Sequence, residues 1–336
     1  MKAAILSPIA WRTPPRLYGP WEQVASNVAE GLTEKGVDVT LFATGDSITK
    51  GTLTYTCDNP YAEDRNMDVK VAECLHISHL FERAAEFDII HNHYDFLPLT
   101  YSRLVNTPML TTIHGFSSPL IVPVYEKYND TNHYVSISNA NRHPNLRYAT
   151  TIYNGIDTAA FNFVEQPDDY LIFFGRIHPE KGAREAIEVA RRCGKRLIIA
   201  GLIQDENYYN DHVHAAIDNK NVTYVGNCGP EQRNQLLGNA LALLHLISFD
   251  EPFGLSVVEA MCCGTPVIAF NRGAMHEVIR NNHTGFVVDT IDEAEAAVYQ
   301  LPTLNRWHCR QWSLEMFSKE KMADEYFKLY KQILNC

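Results

Sequence analysis

The sequence predicts an α/β protein of two Rossmann-like parallel-sheet domains facing across a cleft. Three observations carry this reading. A length of 336 residues suits about two domains of ordinary size. Short apolar runs alternate with amphipathic stretches throughout, the pattern of strands buried beneath helices. The alternation restarts at Tyr170 after a polar joint, Asn154–Asp169, that carries Pro167.

In the first half the expected strands are Ala3–Pro8, Val37–Ala43, Asp88–Asn92, Met109–His114 and His133–Ser138. Helical patterns lie between them at Glu22–Lys35 and Val71–Glu86. Val24, Val28 and Leu32 recur every four residues and line one face, and Gly36 is a stop signal. In the second half the strands are Tyr170–Gly175, Arg196–Ala200, Val222–Gly226, Ala240–Ile247 and Pro266–Ala269. They alternate with helices Ala183–Cys193, Asn207–Ile217, Pro230–Gly238, Phe253–Cys263 and Ala274–Asn281.

Composition narrows the class. A net charge of -11 lacks the basic field of a nucleic-acid binder. None of the 8 cysteines forms a C-x2-C pair, so reduced thiols and a cytoplasmic location are expected. No charged n-region followed by an apolar h-region precedes the expected first strand, so no signal peptide is expected, and no apolar run approaches the ~18 residues of a membrane span. No G-x-G-x-x-G follows a strand, which argues against a dehydrogenase.

Ligands of parallel sheets bind beyond the carboxyl ends of the strands, and four segments there carry chemistry. Phe249 to Ala269 opens with a polar turn after a strand and runs into a helix that Gly264 ends. Glu251 and Glu259, if both are helical, stand ~12 Å apart along the axis, a spacing that suits the two ends of a nucleotide-sugar. Amides of Phe253, Gly254, Leu255 and Ser256 would occupy the first turn, unpaired and favourable to a diphosphate. An ordinary amphipathic helix with a solvated glutamate is the plainer reading of that pair alone. Gly175 to Gly182 follows another strand and brings Arg176 and Lys181, a guanidinium fork and a point charge suited to a diphosphate without a metal. Taken alone, they read as surface charge.

His114 ends a strand of the first half, and His91 and His93 end another on one shared face. With no carboxylate beside them, a structural or cleft-lining role outweighs metal binding. Finally, Pro14–Glu22 is a loop between the first strand and helix, where Gly19 permits close backbone approach to a ligand.

In this order the segments resemble the retaining glycosyltransferases called family four, of the GT-B fold. The ordered set is Tyr18-Gly19, Thr112 to His114, Ile152 to Asp157, Gly175-Arg176, Glu180 to Gly182, Glu251 with Glu259, and Pro266 to Ala269 leading to Gly273 and Glu277. The resemblance covers nearly the whole chain. It implies residues 1–155 on the acceptor side, 156–316 on the donor side, and a C-terminal helix in 317–336 crossing back to the first domain. It implies a hexosyl transfer with retention from a UDP- or GDP-sugar such as GDP-mannose, without metal or other cofactor. Arg176 and Lys181 would bind the diphosphate, Glu259 the ribose, and Glu251 with the backbone of Phe253–Ser256 the sugar and phosphate. His114 would meet the sugar near its reacting carbon, and Gly19 would lie against the donor.

Two positions depart from the family pattern: Pro20-Trp21 stands where a second glycine is usual, and Ala274 follows Gly273, with His276 before Glu277. The first half holds more acids than bases and no basic amphipathic helix, which favours a sugar or small-molecule acceptor over a membrane lipid. A phosphorylase or epimerase of the same fold, or a non-catalytic nucleotide-sugar sensor, are the alternatives.

Overall fold

A computed structural model describes residues 1–335. The chain forms two compact units, Met1–Gly155 completed by the C-terminal helix, and Ile156–Ser318.

The first unit holds a seven-stranded, all-parallel sheet. Its strands are β1 (Lys2–Leu6), β2 (Asp38–Phe42), β3 (Thr52–Thr54), β4 (Ile89–Asn92), β5 (Met109–Ile113), β6 (Asn132–Ser136) and β7 (Tyr148–Thr151). Their spatial order is β3-β2-β1-β4-β5-β6-β7. The chain reverses its direction of travel across the sheet between β1 and β4, which pair in register Ala3 with Ile89. The second unit repeats the plan with β8 (Tyr170–Phe174), β9 (Arg196–Ala200), β10 (Val222–Tyr224), β11 (Ala242–His245), β12 (Val267–Phe270) and β13 (Gly285–Val288), in the order β10-β9-β8-β11-β12-β13. Its reversal lies between β8 and β11, which pair Ala242 with Leu171. Both units are thus Rossmann-like, and in each the reversal leaves a crevice at the carboxyl ends of two neighbouring strands.

Helix Pro20–Glu34 buries the expected face: Val24, Val28 and Leu32 are almost wholly covered, each contributing about 1.5–3 kcal/mol by burial. Pro20 occupies the first turn, where its missing N–H costs no helical bond. The C-terminal helix Lys319–Leu334 lies across this helix. A Cβ added at Gly31 would fall 2.6 Å from Ala323 Cβ, so only glycine admits this crossing.

Several local expectations are corrected. Asn207–Ile217 is not one helix: it breaks into an α turn at Glu206–Tyr208, a π turn at Tyr209–Val213 and a 3-10 turn at His214–Ala216. Asn207, Asn210, Asp211 and His212 are weak helix formers whose short polar side chains compete for the backbone. Ala274–Asn281 shrinks to Met275–Val278. Edge strands β3 and β7, strand β13, and helices Ile291–Gln300 and Arg306–Phe317 join the expected set. The two edge strands are half-exposed and short, so they lack a continuous apolar run.

Candidate functional site

The second unit gathers its polar groups at the reversal of its sheet. β8 delivers Gly175 to Gly182, and its neighbour β11 delivers His245 and the segment through Glu251. Lys181 and Glu251, 70 residues apart, meet there: Nζ donates to Oε2 at 2.9 Å, with side chains 15% and 14% exposed. Lys181 Nζ also stands 4.3 Å from the centre of the Phe249 ring. His245, at the end of β11, lies 3.6 Å from the same carboxylate oxygen. Burial alone would raise the Glu251 pKa, but His245 and Lys181 override it and hold the carboxyl down at about 2. Glu251 is therefore an anion at neutral pH.

Glycines make this approach possible. Gly182 has φ +79°, and a Cβ there would fall 2.0 Å from the Leu246 carbonyl oxygen. Gly273 has φ +54°, with the Glu251 carbonyl oxygen 2.2 Å from where its Cβ would be. Ala274 N donates to that carbonyl at 2.8 Å, fixing the backbone that carries Glu251. Ala274 itself is buried, so this departure from the family pattern sits in packed interior.

The helix beyond Glu251 is shorter than expected. It runs Leu255–Cys262, with Gly254 at its N-cap at φ 95°. Glu259 is helical, but Glu251 precedes the helix, so the 12 Å helical spacing does not apply. Phe253 also lies ahead of it, its ring buried 5.6 Å from that of Phe317, and is not a first-turn residue. Leu255 and Ser256 do occupy the first turn, whose amides have no acceptor within a helix. The reason for the misjudged start is Gly254, whose positive φ ends regular geometry.

Arg176 does not reach Glu251. Its Nη1 donates to Gln204 Oε1 and its side chain remains partly exposed. Glu259 is paired by a residue that sequence reading missed: Arg233 Nη1 stands 3.1 Å from Glu259 Oε1, with side chains 19% and 7% exposed. Burial raises the Glu259 pKa and Arg233 opposes the rise. His245 and Arg233 carried no local signal, since one ends an apolar strand and the other lies in an ordinary polar helix.

The first unit carries a separate set. His114, just beyond β5, is buried and its Nε2 lies 3.0 Å from His93 Nδ1. The Trp21 ring stacks on His114 at 5.5 Å and 20°, so the Pro20-Trp21 departure from the family pattern covers one face of this histidine. Burial holds the His114 pKa at about 3, leaving the ring neutral. Gly19, at φ +149°, caps the first helix, and a Cβ there would fall 2.9 Å from Pro15 Cβ. Glu22 lies in the first turn and accepts from Trp11 N at 3.2 Å. Burial pushes its pKa up to about 7, against its backbone hydrogen bonds. Among the described residues, no three His, Cys, Asp or Glu side chains group to hold a metal, and no helix is long and apolar enough to cross a membrane.

Comparison with known proteins follows the same division. Residues 21–160 match the family model described as Glycosyltransferase Family 4, and residues 157–304 that described as Glycosyl transferases group 1. A glycogen synthase of Mycobacterium tuberculosis is 33% identical over 152 residues, which are 42% of this chain and 36% of that protein. The chain thus matches little more than a third of that relative's length. Among solved structures, AviGT4, a glycosyltransferase involved in avilamycin A biosynthesis, is 24% identical with a TM-score of 0.74, covering 100% of this chain and 98% of that one. HepE from Anabaena, solved with UDP and glucose, is 18% identical with a TM-score of 0.76, covering 99% and 100%.

Proposed function

The chain belongs to the GT-B glycosyltransferase family, and from that premise we propose that it transfers a hexose, with retention, from a nucleoside-diphosphate sugar to a sugar or small-molecule acceptor. The observation that carries this is the Lys181–Glu251–His245 cluster beside the N-terminus of helix Leu255–Cys262, at the reversal of the second sheet. A fixed anion, a cation and unpaired helical amides there suit a ligand that is a polyol at one end and a diphosphate at the other.

In this reading Ile156–Ser318 binds the donor and the first unit the acceptor. Glu251, ionised and held by Lys181 and His245, accepts hydrogen bonds from hydroxyls of the transferred sugar. The amides of Gly254, Leu255 and Ser256 receive the phosphates, with the backbone at Phe253 leading into them. Arg176 and Lys181 neutralise the charge that builds on the departing diphosphate, so that no metal is required. Glu259, paired with Arg233, holds the ribose hydroxyls. Gly19 lies against the donor and His114 contacts the sugar near the reacting carbon. The leaving diphosphate assists deprotonation of the acceptor on the same face, which retains the anomeric configuration. The protein works in the cytoplasm with no resident cofactor.

The test begins with binding. A ligand that binds only the native state raises the melting temperature. Purified protein is screened without metal against UDP, GDP, ADP and their sugar conjugates. UDP-glucose is the first conjugate to try, because HepE, which shares the fold, was solved with UDP and glucose. A shift with one nucleotide, followed by transfer that persists in EDTA, is the expected result. Stabilisation by none of them, or activity lost in EDTA and restored by Mg2+, overturns the reading or its metal-free part.

A further inference from the structure

His93 is wholly buried, and its two ring nitrogens have unequal surroundings. Nδ1 faces His114 Nε2 at 3.0 Å, while Nε2 is buried with no hydrogen-bond partner. His91 cannot supply the missing partner. Its Nδ1 is engaged by Tyr330 Oη at 2.7 Å and its Nε2 by Thr112 Oγ1 at 2.8 Å. Thr112 Oγ1 in turn meets Tyr326 Oη at 2.7 Å, so the C-terminal helix locks His91 while the His91 ring packs 4.1 Å from His93.

Burial keeps His91, His93 and His114 neutral. One proton therefore lies between His93 and His114, and two arrangements are possible. If His114 Nε2 carries it, His93 must hold its own proton on Nε2, as a buried donor with no acceptor. If His93 Nδ1 carries it, His93 Nε2 is only a bare lone pair. Orphaned buried N–H groups are rarer than under-satisfied acceptors.

We propose that His93 is a positioning residue that sets the tautomer of His114: His93 Nδ1–H donates to His114 Nε2, so His114 carries its proton on Nδ1. His114 then meets a ligand through Nδ1 as a neutral hydrogen-bond donor to an oxygen, and not as a base. Trp21, stacked on the ring face, holds the imidazole plane so that this N–H keeps one direction. The ligand half of this statement rests on the reading that His114 contacts the transferred sugar. The tautomer does not.

The direct test is long-range 1H–15N correlation of the histidine rings in the unliganded wild-type protein, with His114 assigned by its loss in His114→Gln. Nitrogen shifts that place the His114 proton on Nδ1 are expected. A proton on Nε2, or a doubly protonated ring, overturns the proposal whatever the protein catalyses. Variants then connect tautomer to turnover. His93→Asn offers an amide N–H near the position of Nδ1 and should keep the His114 tautomer and most of kcat. His93→Leu should leave the tautomer mixed and lower kcat about tenfold, the cost of one misdirected hydrogen bond, with KM changed less. Equal kcat in the Leu and Asn variants, with both folded, counts against the role of His93. Loss of all transferase activity in the wild type leaves the nitrogen measurement standing, so failure of the functional reading and failure of this one remain separable.

Discussion

Removing the cation from the Lys181–Glu251 pair tests the geometry of the second unit most directly. Lys181→Met keeps the length and apolar stem of the side chain and deletes only its charge. At 2.9 Å and an effective dielectric constant of about 20, the Coulomb attraction is roughly 6 kcal/mol, most of it cancelled by desolvation. Stranding one fully buried charge costs about 3–5 kcal/mol. With both side chains about one-seventh exposed and His245 still near the carboxylate, about 2 kcal/mol is expected. The sign with pH follows from the Glu251 carboxyl, held at about 2 when folded against 4.5 ordinarily. A depressed carboxylate pKa stabilises the fold above the ordinary value, and that stability is lost as pH falls through the folded one. The gap between wild type and variant should therefore be full at neutral pH and shrink towards about pH 3. Urea unfolding followed by tryptophan fluorescence measures it at both pH values. No gap at neutral pH, or a gap that does not narrow in acid, refutes the ion-pair reasoning.

Three further outcomes are expected. Arg176→Ala should lower turnover about 100-fold, as for losing a preorganised charge donor, and a near-wild-type rate removes it from the diphosphate site. Glu259→Gln should weaken nucleoside-diphosphate binding about tenfold, measured by calorimetry. Unchanged affinity sets aside its ribose role. Glu22→Gln should act oppositely to Lys181→Met: the Glu22 pKa is raised to about 7 by burial, so the protonated form stabilises the fold, and that stability is lost as pH rises through about 7. The variant should melt higher than wild type at about pH 8 and alike at about pH 4. Equal shifts at both values would show that charge is not the cause.

Periodicity and punctuation along the chain were enough to read two parallel α/β units, most of their strands, and the loops that carry Arg176, Lys181 and Glu251. Those features are local: a buried strand needs a continuous apolar run, and a ligand loop follows its carboxyl end. The helical spacing expected of Glu251 and Glu259 assumes unbroken helical geometry, whereas Gly254 at φ 95° interrupts it. Asn207–Ile217 breaks because its polar residues have poor helix propensity and compete for the backbone, which the alternation of strands and helices does not register.

What belonged to tertiary structure alone is the pairing. Lys181 meets Glu251 because β8 and β11 are neighbours across the sheet reversal, and nothing within either segment states that adjacency. Arg233 answers Glu259, His93 answers His114 and Trp21 covers it through contacts between elements far apart in sequence. The sequence by itself determined which side chains stand at the ends of strands, because strand and loop are decided by neighbours a few residues away. Which of those side chains share a charge or a proton was decided only when strand order and helix crossing brought them within hydrogen-bonding reach.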